Sequence, residues 1–504
     1  MKTIYSILTL LLLLPAFFCC NDYIPDRNVT NNDSIQTPWT YDSPWFFDMP
    51  STASLRRSEK KVFAHYFTQY PISIDNYPSQ TDYYQAKYFS PTGEESKFSD
   101  GGGLLRNRPL PQETLSGYNW MERNMDEEVR RAITIGMDGF ACDLLSYEGY
   151  HLDRVKMLLE SANRLDPGGF KIMLMPDMDA FKDFPERVAP MIKELSAYPA
   201  AYRLDDGRLV VSPFNTQNMC AAWWDNWLAG MREDGINIAF VPLFQGWEKY
   251  ASQFKNISYG MSDWGWASPK AQVSAGWENT PSKARNYAKI WMMPVRPQDM
   301  RPYSQSYMEA GNSELYRIMW KHAIDGGADW VHLITWNDYS EHTCIAPSTG
   351  TQYAFYDLTA FFLAWFKTEV QPQIKRDALF YFYRRHAVNA RPSVQTIKFD
   401  PSPGSDPEQN VIELVAFLTT PGTLEIQIGT TIKTKNVPAG ISTFQIPLEP
   451  GKPVFRLRRN NQKIITLPGA FEIKNKITYQ DLLYYGGSNT RKPLAFPEFL
   501  YKID

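Results

Sequence analysis

The stretch DWVHLITWND, residues 329–338, decides how the chain is read. Its first part is apolar, with the aromatic and β-branched residues of a buried strand. It then breaks into Asn337 and Asp338, and the next four residues, YSEH, add Glu341 and His342. Burying two carboxylates without partners is costly. A strand that runs directly into an amide, two carboxylates and an imidazole is therefore leaving the core where polar chemistry is needed.

Seven further apolar runs precede it: KVFAHYF at 61–67, GFACDLL at 139–145, FKIMLMPDMD at 170–179, RLVVSPF at 208–214, NIAFVPLFQGW at 237–247, ISYGMSDWGW at 257–266 and AKIWMMPVRP at 288–297. Amphipathic helical segments fall between several of them, among them DEEVRRAITIG, LDRVKMLLESANRL and SELYRIMWKHAIDGG. Eight strand-like runs alternating with helices predict an α/β fold, a (β/α)8 TIM-type barrel over residues 59–386. An open doubly wound sheet would carry a Gly-rich turn after its first strand, and AHYFTQYP has none.

From residue 387 to 504 the texture changes. VIELVAFL, TLEIQIGT, TFQIPL, VFRLRR and KIITLP are short alternating runs separated by TPG, PAG and EPGK. They predict a C-terminal antiparallel β-sandwich, an accessory domain that packs against the barrel. At the other end, Lys2 and the apolar run Ile4–Phe18 read as an export signal over residues 1–20, too short for a membrane span. PAFFCCND places Cys19 or Cys20 where a bacterial lipoprotein carries its lipid. Residues 21–58, rich in Asn, Asp, Ser, Thr and Pro, read as a flexible tether. The expected product is an exported, outer-membrane lipoprotein of Bacteroides type, held to the membrane by its N-terminal lipid.

A net charge of -3 with no long basic run excludes a nucleic-acid partner. Beyond the signal, Cys142, Cys220 and Cys344 are too few and too scattered for a disulfide framework or a zinc site. No structural metal and no cofactor are expected, and a monomer is the default. The aromatic share of 14% suits platforms for sugar rings.

Active sites of such barrels lie at the carboxyl ends of the strands. Reading the ends in order gives His65 and Tyr66; Asp143; Asp177 and Asp179; Phe214 and Asn215; Gln245 and Trp247; Asp263, Trp264 and Trp266; Arg296 and Gln298; then Trp336, Asn337, Asp338, Tyr339, Glu341 and His342. Carboxylates among Trp and Tyr are what glycoside cleavage needs: an acid to protonate the leaving oxygen, a second carboxylate to activate water or attack, and aromatic faces to hold the rings. Phosphate chemistry would need a P-loop or a basic cluster, and neither is present.

VFAHYF at 62–67, GMDGFACD at 136–143, RLDDGRLVVSPF at 203–214 and ITWNDYSEHTCIAP at 334–347 resemble glycoside hydrolase family 71, the α-1,3-glucanases or mutanases. The last motif is the most specific. The family reads close to TWNDYGESHYIGP, with Ser340 here in place of its glycine and His342 in place of its serine. The insert SDGGGLLRNRPLPQE at 99–113 has no counterpart. The resemblance implies a (β/α)8 barrel hydrolysing α-1,3-glucosidic bonds of an α-glucan with inversion, through the carboxylates of Asp338 and Glu341. Glu341 is expected as general acid and Asp338 as general base, with the reverse order open. The other strand-end residues are expected to bind substrate. Two alternatives stand beside this: a family 99-like hydrolase of another α-linked glycan such as α-mannan, and a surface lipoprotein that binds glycan without cleaving it.

Overall fold

The computed structural model describes residues 44–288, 290–492 and 494. The expected signal, Cys19 or Cys20, and residues 21–43 of the expected tether lie outside the described residues. The rest of that tether, residues 44–58, is folded instead: Thr52–Arg56 form a helix, and Phe46, Phe47 and Leu55 are buried in the main core, Phe46 against Phe361 (5.7 Å) and Phe417 (4.7 Å).

Nine parallel strands form the main sheet. They are β1 (Lys61–Tyr66), β2 (Gly139–Leu144), β3 (Lys171–Pro176), β4 (Leu209–Val211), β5 (Ile238–Phe240), β6 (Leu243–Phe244), β7 (Gly260–Asp263) and β8 (Ile290–Val295), then β11 (Trp330–Leu333) after the hairpin of β9 (Asp299–Arg301) and β10 (Ser306–Met308). The order is β5-β4-β3-β2-β1-β11-β8-β7-β6. The eight apolar runs give nine strands because the fifth is interrupted at Val241 and Pro242. Pro242 has no N–H to give to a ladder. The run still bonds to both sides: Val241 N–H donates to Val211 O (2.9 Å), and Pro242 O accepts from Ser262 N–H (2.9 Å).

Successive side chains of a strand face opposite ways, and the packing follows this. Val62, Ala64 and Tyr66 of β1, with Phe140, Cys142 and Leu144 of β2, join the large core beneath the helices. Phe63 and Ala141 join a separate inner cluster with Met173, Val210 and Met292. His65 and Asp143 are the next inward positions on their strands, and His332, two residues after the inner Trp330, is the next on β11.

Helices cover the outer face. Trp120–Thr134 buries Met125, Val129 and Ala132, and Glu314–Asp325 buries Leu315, Met319 and Trp320. The helix Ala354–Thr368 is apolar almost all round and buried along its length. Its second face explains why. Phe355 packs on Phe382 (5.0 Å) and Phe361 on Phe417 (5.0 Å), both from the C-terminal strands.

Those strands are β12 (Ala378–Tyr383), the short β13 (Asp400–Pro401), β14 (Val411–Leu418), β15 (Gly422–Ile428), β16 (Thr431–Val437), β17 (Gly440–Pro447), β18 (Pro453–Arg459), β19 (Gln462–Pro468) and β20 (Tyr485–Ser488). All but β13, which pairs parallel with β10, form two antiparallel sheets, β17-β14-β12-β20 and β16-β15-β18-β19. Tyr381 and Phe455 stack between them at 4.8 Å. β12 starts at Ala378, before the residue 387 at which the compositional change was read. Its FYFY sequence is buried on both faces, so it has none of the polar alternation that marked the later strands.

Candidate active site

The inward positions of β1, β2 and β11 bring three buried polar side chains together inside the carboxyl ends of the strands. His65 Nε2 lies 3.6 Å from Asp143 Oδ2, and the His65 and His332 rings are 5.3 Å apart. Both ring nitrogens of each histidine and Oδ1 of Asp143 are buried and take no hydrogen bond within the protein. Trp264 stands edge-to-face against His65 (5.1 Å) and Phe214 (4.8 Å). Burial holds His65 neutral, its pKa lowered to about 4 against the pull of Asp177 and Asp338. Burial, with Asp338 and Asp179 adding, pushes Asp143 well above the carboxylate range. Asp177 follows β3, caps the short helix Met178–Phe181 and accepts from Asp179 N–H (2.7 Å). Burial and the charge of Asp143 raise its pKa to about 7.

Asp338 and Glu341 sit on the loop after β11 in unlike surroundings. Oδ1 of Asp338 accepts from Ser340 N–H (2.9 Å), Ser340 Oγ (2.8 Å) and Glu341 N–H (2.9 Å). Burial raises Asp338, and these donors oppose the rise by favouring its charged form. Glu341 Oε1 meets Arg301 Nη1 (2.9 Å) and the Tyr303 hydroxyl (3.2 Å), while Oε2 is buried and unbonded. Burial first, then the charge of Asp338, pushes Glu341 up to about 8 against the opposing charge of Arg301. The two carboxyls thus differ in surroundings: hydrogen-bond donors oppose the effect of burial at Asp338, whereas the charge of Asp338 adds to it at Glu341.

Arg301 is itself oriented. Asp299 accepts from its Nε (2.8 Å) and Nη2 (2.7 Å), and also from Arg296 Nη1 (3.1 Å). Arg296 in turn donates to Trp264 O (2.7 Å), with its guanidinium over the Trp264 ring. Arg296 therefore braces both Asp299 and Trp264.

Several strand-end residues expected at the substrate are turned elsewhere. Tyr66 faces the helices and gives its hydroxyl to Met125 Sδ (3.4 Å). Trp336 is buried against Phe140 (5.1 Å), its indole N–H bonded to Glu128. Trp247 packs on Trp291 (4.9 Å) in the outer core. Asn337 clamps the loop after β1, donating to Phe67 O (2.8 Å) and Tyr70 O (2.9 Å) and accepting from Phe67 N–H (2.8 Å). Tyr339 is buried among Tyr70 and Tyr84. Asp263 spends its carboxylate on the N–H groups of Gly246 (2.8 Å), Trp247 (2.7 Å) and Gly265 (2.7 Å). His342 bridges Met300 O through Nδ1 (2.6 Å) and accepts Arg106 N–H at Nε2 (2.8 Å), so it ties the 99–113 insert to the β9 hairpin. Burial lowers its pKa to about 3, and it is neutral. Gln245 is exposed after β6. Trp266, 45% exposed, lies over Gly404 of the C-terminal segment.

Residues 115–492 match glycosyl hydrolase family 71. The chain belongs to that family. The family 71 chain is a glycoside hydrolase. It is 23% identical over 400 residues to a glucan endo-1,3-alpha-glucosidase of Schizosaccharomyces pombe, covering 73% of this chain and 92% of the relative. It is 23% identical over 385 residues to a Penicillium rubens mutanase, covering 72% and 84%. Among solved structures it is similar to a GH99 endo-alpha-mannosidase from Bacteroides thetaiotaomicron, with TM-score 0.48 and 16% identity over 61% of this chain and 97% of that one.

Four residues of the candidate site escaped the strand-end reading. Arg301 and Tyr303 lie on the β9–β10 hairpin, Asp299 at its start, and His332 inside β11 rather than at its end. His332 was legible: it is two residues from Trp330 and shares its face. For Arg301 no pattern existed, because only the hairpin's fold directs it to Glu341. Among the described residues no group of three or more His, Cys, Asp or Glu could hold a metal ion, and no helix is long and apolar enough to cross a membrane.

Proposed function

We propose that the protein hydrolyses α-1,3-glucosidic bonds of an α-glucan with inversion at the anomeric carbon. The observation that carries this reading is the contrast between Asp338, whose Oδ1 takes three donors, and Glu341, whose Oε2 is buried and unbonded. Glu341 gives its proton to the leaving glycosidic oxygen as the C1–O bond breaks. Asp338 takes a proton from the water that attacks C1 from the opposite face. The proton lost from Glu341 is balanced by the one gained on Asp338, and exchange with solvent resets the pair. Inversion requires carboxyls about 6.5–9.5 Å apart, with the water between them. The unbonded nitrogens of His65 and His332 and Oδ1 of Asp143 would be satisfied by hydroxyls of the bound sugar, and Trp264 offers it an aromatic face.

Three further parts belong to the proposal. The nine-strand sheet closes as a (β/α)8 barrel, with β5 and β6 as halves of one strand. Residues 387–504 serve as an accessory domain. The protein is an exported monomeric lipoprotein, tethered from Cys19 or Cys20 by the residues that precede the folded segment 44–58. The choice of α-1,3-glucan rests on the activities named for the fungal relatives and on the TWNDY motif with its following glutamate.

The test is incubation with insoluble α-1,3-glucan, reading product anomers by NMR. Asp338→Asn and Glu341→Gln should each lose about 10²–10⁴-fold in rate. An α-glucosyl fluoride, whose leaving group needs no proton, should restore turnover to Glu341→Gln and not to Asp338→Asn. Cleavage of a different α-glycan would replace the substrate, and binding without cleavage of any glycan would overturn the reaction.

A further inference from the structure

Beside the loop that carries Asp338 and Glu341, the segments that follow β1 and β2 border a shallow, open recess of about 480 Å³ lined by Gln69, Ile74, Tyr83, Tyr88, Tyr150 and His151, among others. That volume is in the range of small-ligand sites. We propose that this recess is a distal glycosyl subsite, which takes pyranose rings of the polysaccharide several units from the bond cleaved at Asp338 and Glu341. The inference rests on the hydrolytic reading above. It adds a binding site on a segment that lies largely before the family match, which begins at residue 115.

Three observations carry it. The first is composition. Tyr83 and Tyr88 are half-buried, with ring centroids 5.2 Å apart, and Tyr150 is 48% exposed. Aromatic faces left partly open in a concave site are what pyranose rings stack on. The second is rigidity. Residues Tyr84–Tyr88 form one turn of π-helix, closed by Phe89 N–H donating to Tyr84 O (2.9 Å). Such turns recur at functional sites. Tyr88 O accepts from Leu104 N–H (2.8 Å) and Leu105 N–H (3.1 Å), and the next residue, Arg106, gives its N–H to His342 (2.8 Å). Arg154 stacks on the Tyr150 ring at 3.9 Å and is fixed by Thr68 O (2.7 Å). The platforms are thus held in place before any ligand arrives. The third is polar capacity. Gln69 Oε1 is buried and takes no hydrogen bond within the protein. His151 is held by the Thr68 hydroxyl through Nδ1 (3.3 Å). Both can meet sugar hydroxyls.

The recess is also connected to the chemistry. Tyr70 packs on Tyr88 (6.2 Å) and on Tyr339 (6.3 Å), and its phenol lies beside Asp338 and Ser340. One aromatic side chain therefore separates the recess from the proposed base. A chain leaving the cleft on this side would meet Tyr88 and Tyr150 next.

The experiment compares α-1,3-linked glucose trisaccharide and heptasaccharide as substrates for wild type, Tyr88→Ala, Tyr150→Ala and Tyr150→Phe. The same probes are titrated calorimetrically into Glu341→Gln with and without the tyrosine changes. The heptasaccharide-to-trisaccharide ratio of kcat/KM should fall about tenfold in both alanine variants and be kept in Tyr150→Phe. Heptasaccharide affinity of Glu341→Gln should fall by a similar factor. An unchanged ratio and affinity in both alanine variants would overturn the subsite while leaving the hydrolytic reading intact. Tyrosine-dependent binding without cleavage by wild type would keep the subsite and remove the reaction. Neither binding nor cleavage would remove both.

Discussion

Replacing Arg301 by Met tests the electrostatics of the carboxyl pair most directly. Arg301 Nη1 is 2.9 Å from Glu341 Oε1, so the charge centres are about 4 Å apart. At an effective dielectric of about 20 a pair at that distance interacts by roughly 4 kcal/mol. The side chains are 28% and 17% exposed, which admits solvent screening. Arg301 is also shared with Asp299. About 1–2 kcal/mol therefore remains to favour the ionised form of Glu341, equivalent to about one pH unit. The sign is fixed: a cation stabilises the carboxylate, so removing it raises Glu341 further above its value of about 8. The general acid works protonated. On the proposed assignment the alkaline limb of kcat/KM should lie near pH 8 in wild type and move up toward about 9 in Arg301→Met. Arg301→Lys keeps the charge and should hold the limb near its original place. The assay is a pH–rate profile on a soluble α-1,3-oligosaccharide. An alkaline limb that stays put or moves down would refute the argument, and movement of the acid limb instead would make Glu341 the base.

Three further outcomes follow from the geometry. Asn337→Ala deletes three hydrogen bonds to the loop after β1 and leaves buried backbone groups unpaired. It should cost about 2–4 kcal/mol in denaturant unfolding. Tyr66→Phe removes a hydroxyl whose contact is Met125 Sδ; stability should change by less than about 1 kcal/mol and kcat by less than about twofold, whereas His65→Ala should lower kcat strongly. His342 has a folded pKa of about 3 against 6.5, so on acidification the unfolded chain binds the proton first. Its contribution to stability is full above about pH 6.5 and declines as pH falls toward 3, by up to about 1.4 kcal/mol per pH unit. His342→Asn should flatten that part of the Tm-versus-pH curve.

The parallel strand–helix rhythm and the acidic loop at 338–341 were legible because buried strands write long apolar runs, and a carboxylate pair at a strand end has few structural uses. What failed was direction. His65 and Tyr66 are adjacent, and period two allows only one of them to face inward; Phe63 in the inner cluster identifies it as His65. The same rule separates Asp143 from the outward Cys142. Beyond the strand, the rule lapses. Trp336, Asn337, Tyr339 and His342 sit in a loop whose path is set by Glu128, Phe67, Tyr70, Met300 and Arg106, all distant in sequence. Polar residues there read as ligands of a substrate when their partners are backbone atoms of other loops. Arg301 was missed for the converse reason: its partner Glu341 was in view, but nothing local points a hairpin arginine at it.

The last strand among the described residues, β20, gives the order of synthesis a role. Tyr484, just before β20, bonds both amide atoms of Gln298 (2.9 and 3.2 Å), the neighbour of the Asp299 that orients Arg301. Gln480 O accepts from Arg106 Nε (3.2 Å), whose backbone holds His342. A chain emerging from the ribosome has made Asp338 and Glu341 long before it has made the residues that brace their surroundings. Every unfinished nascent chain lacks those braces, so cleavage capacity should mature only as the C-terminus arrives.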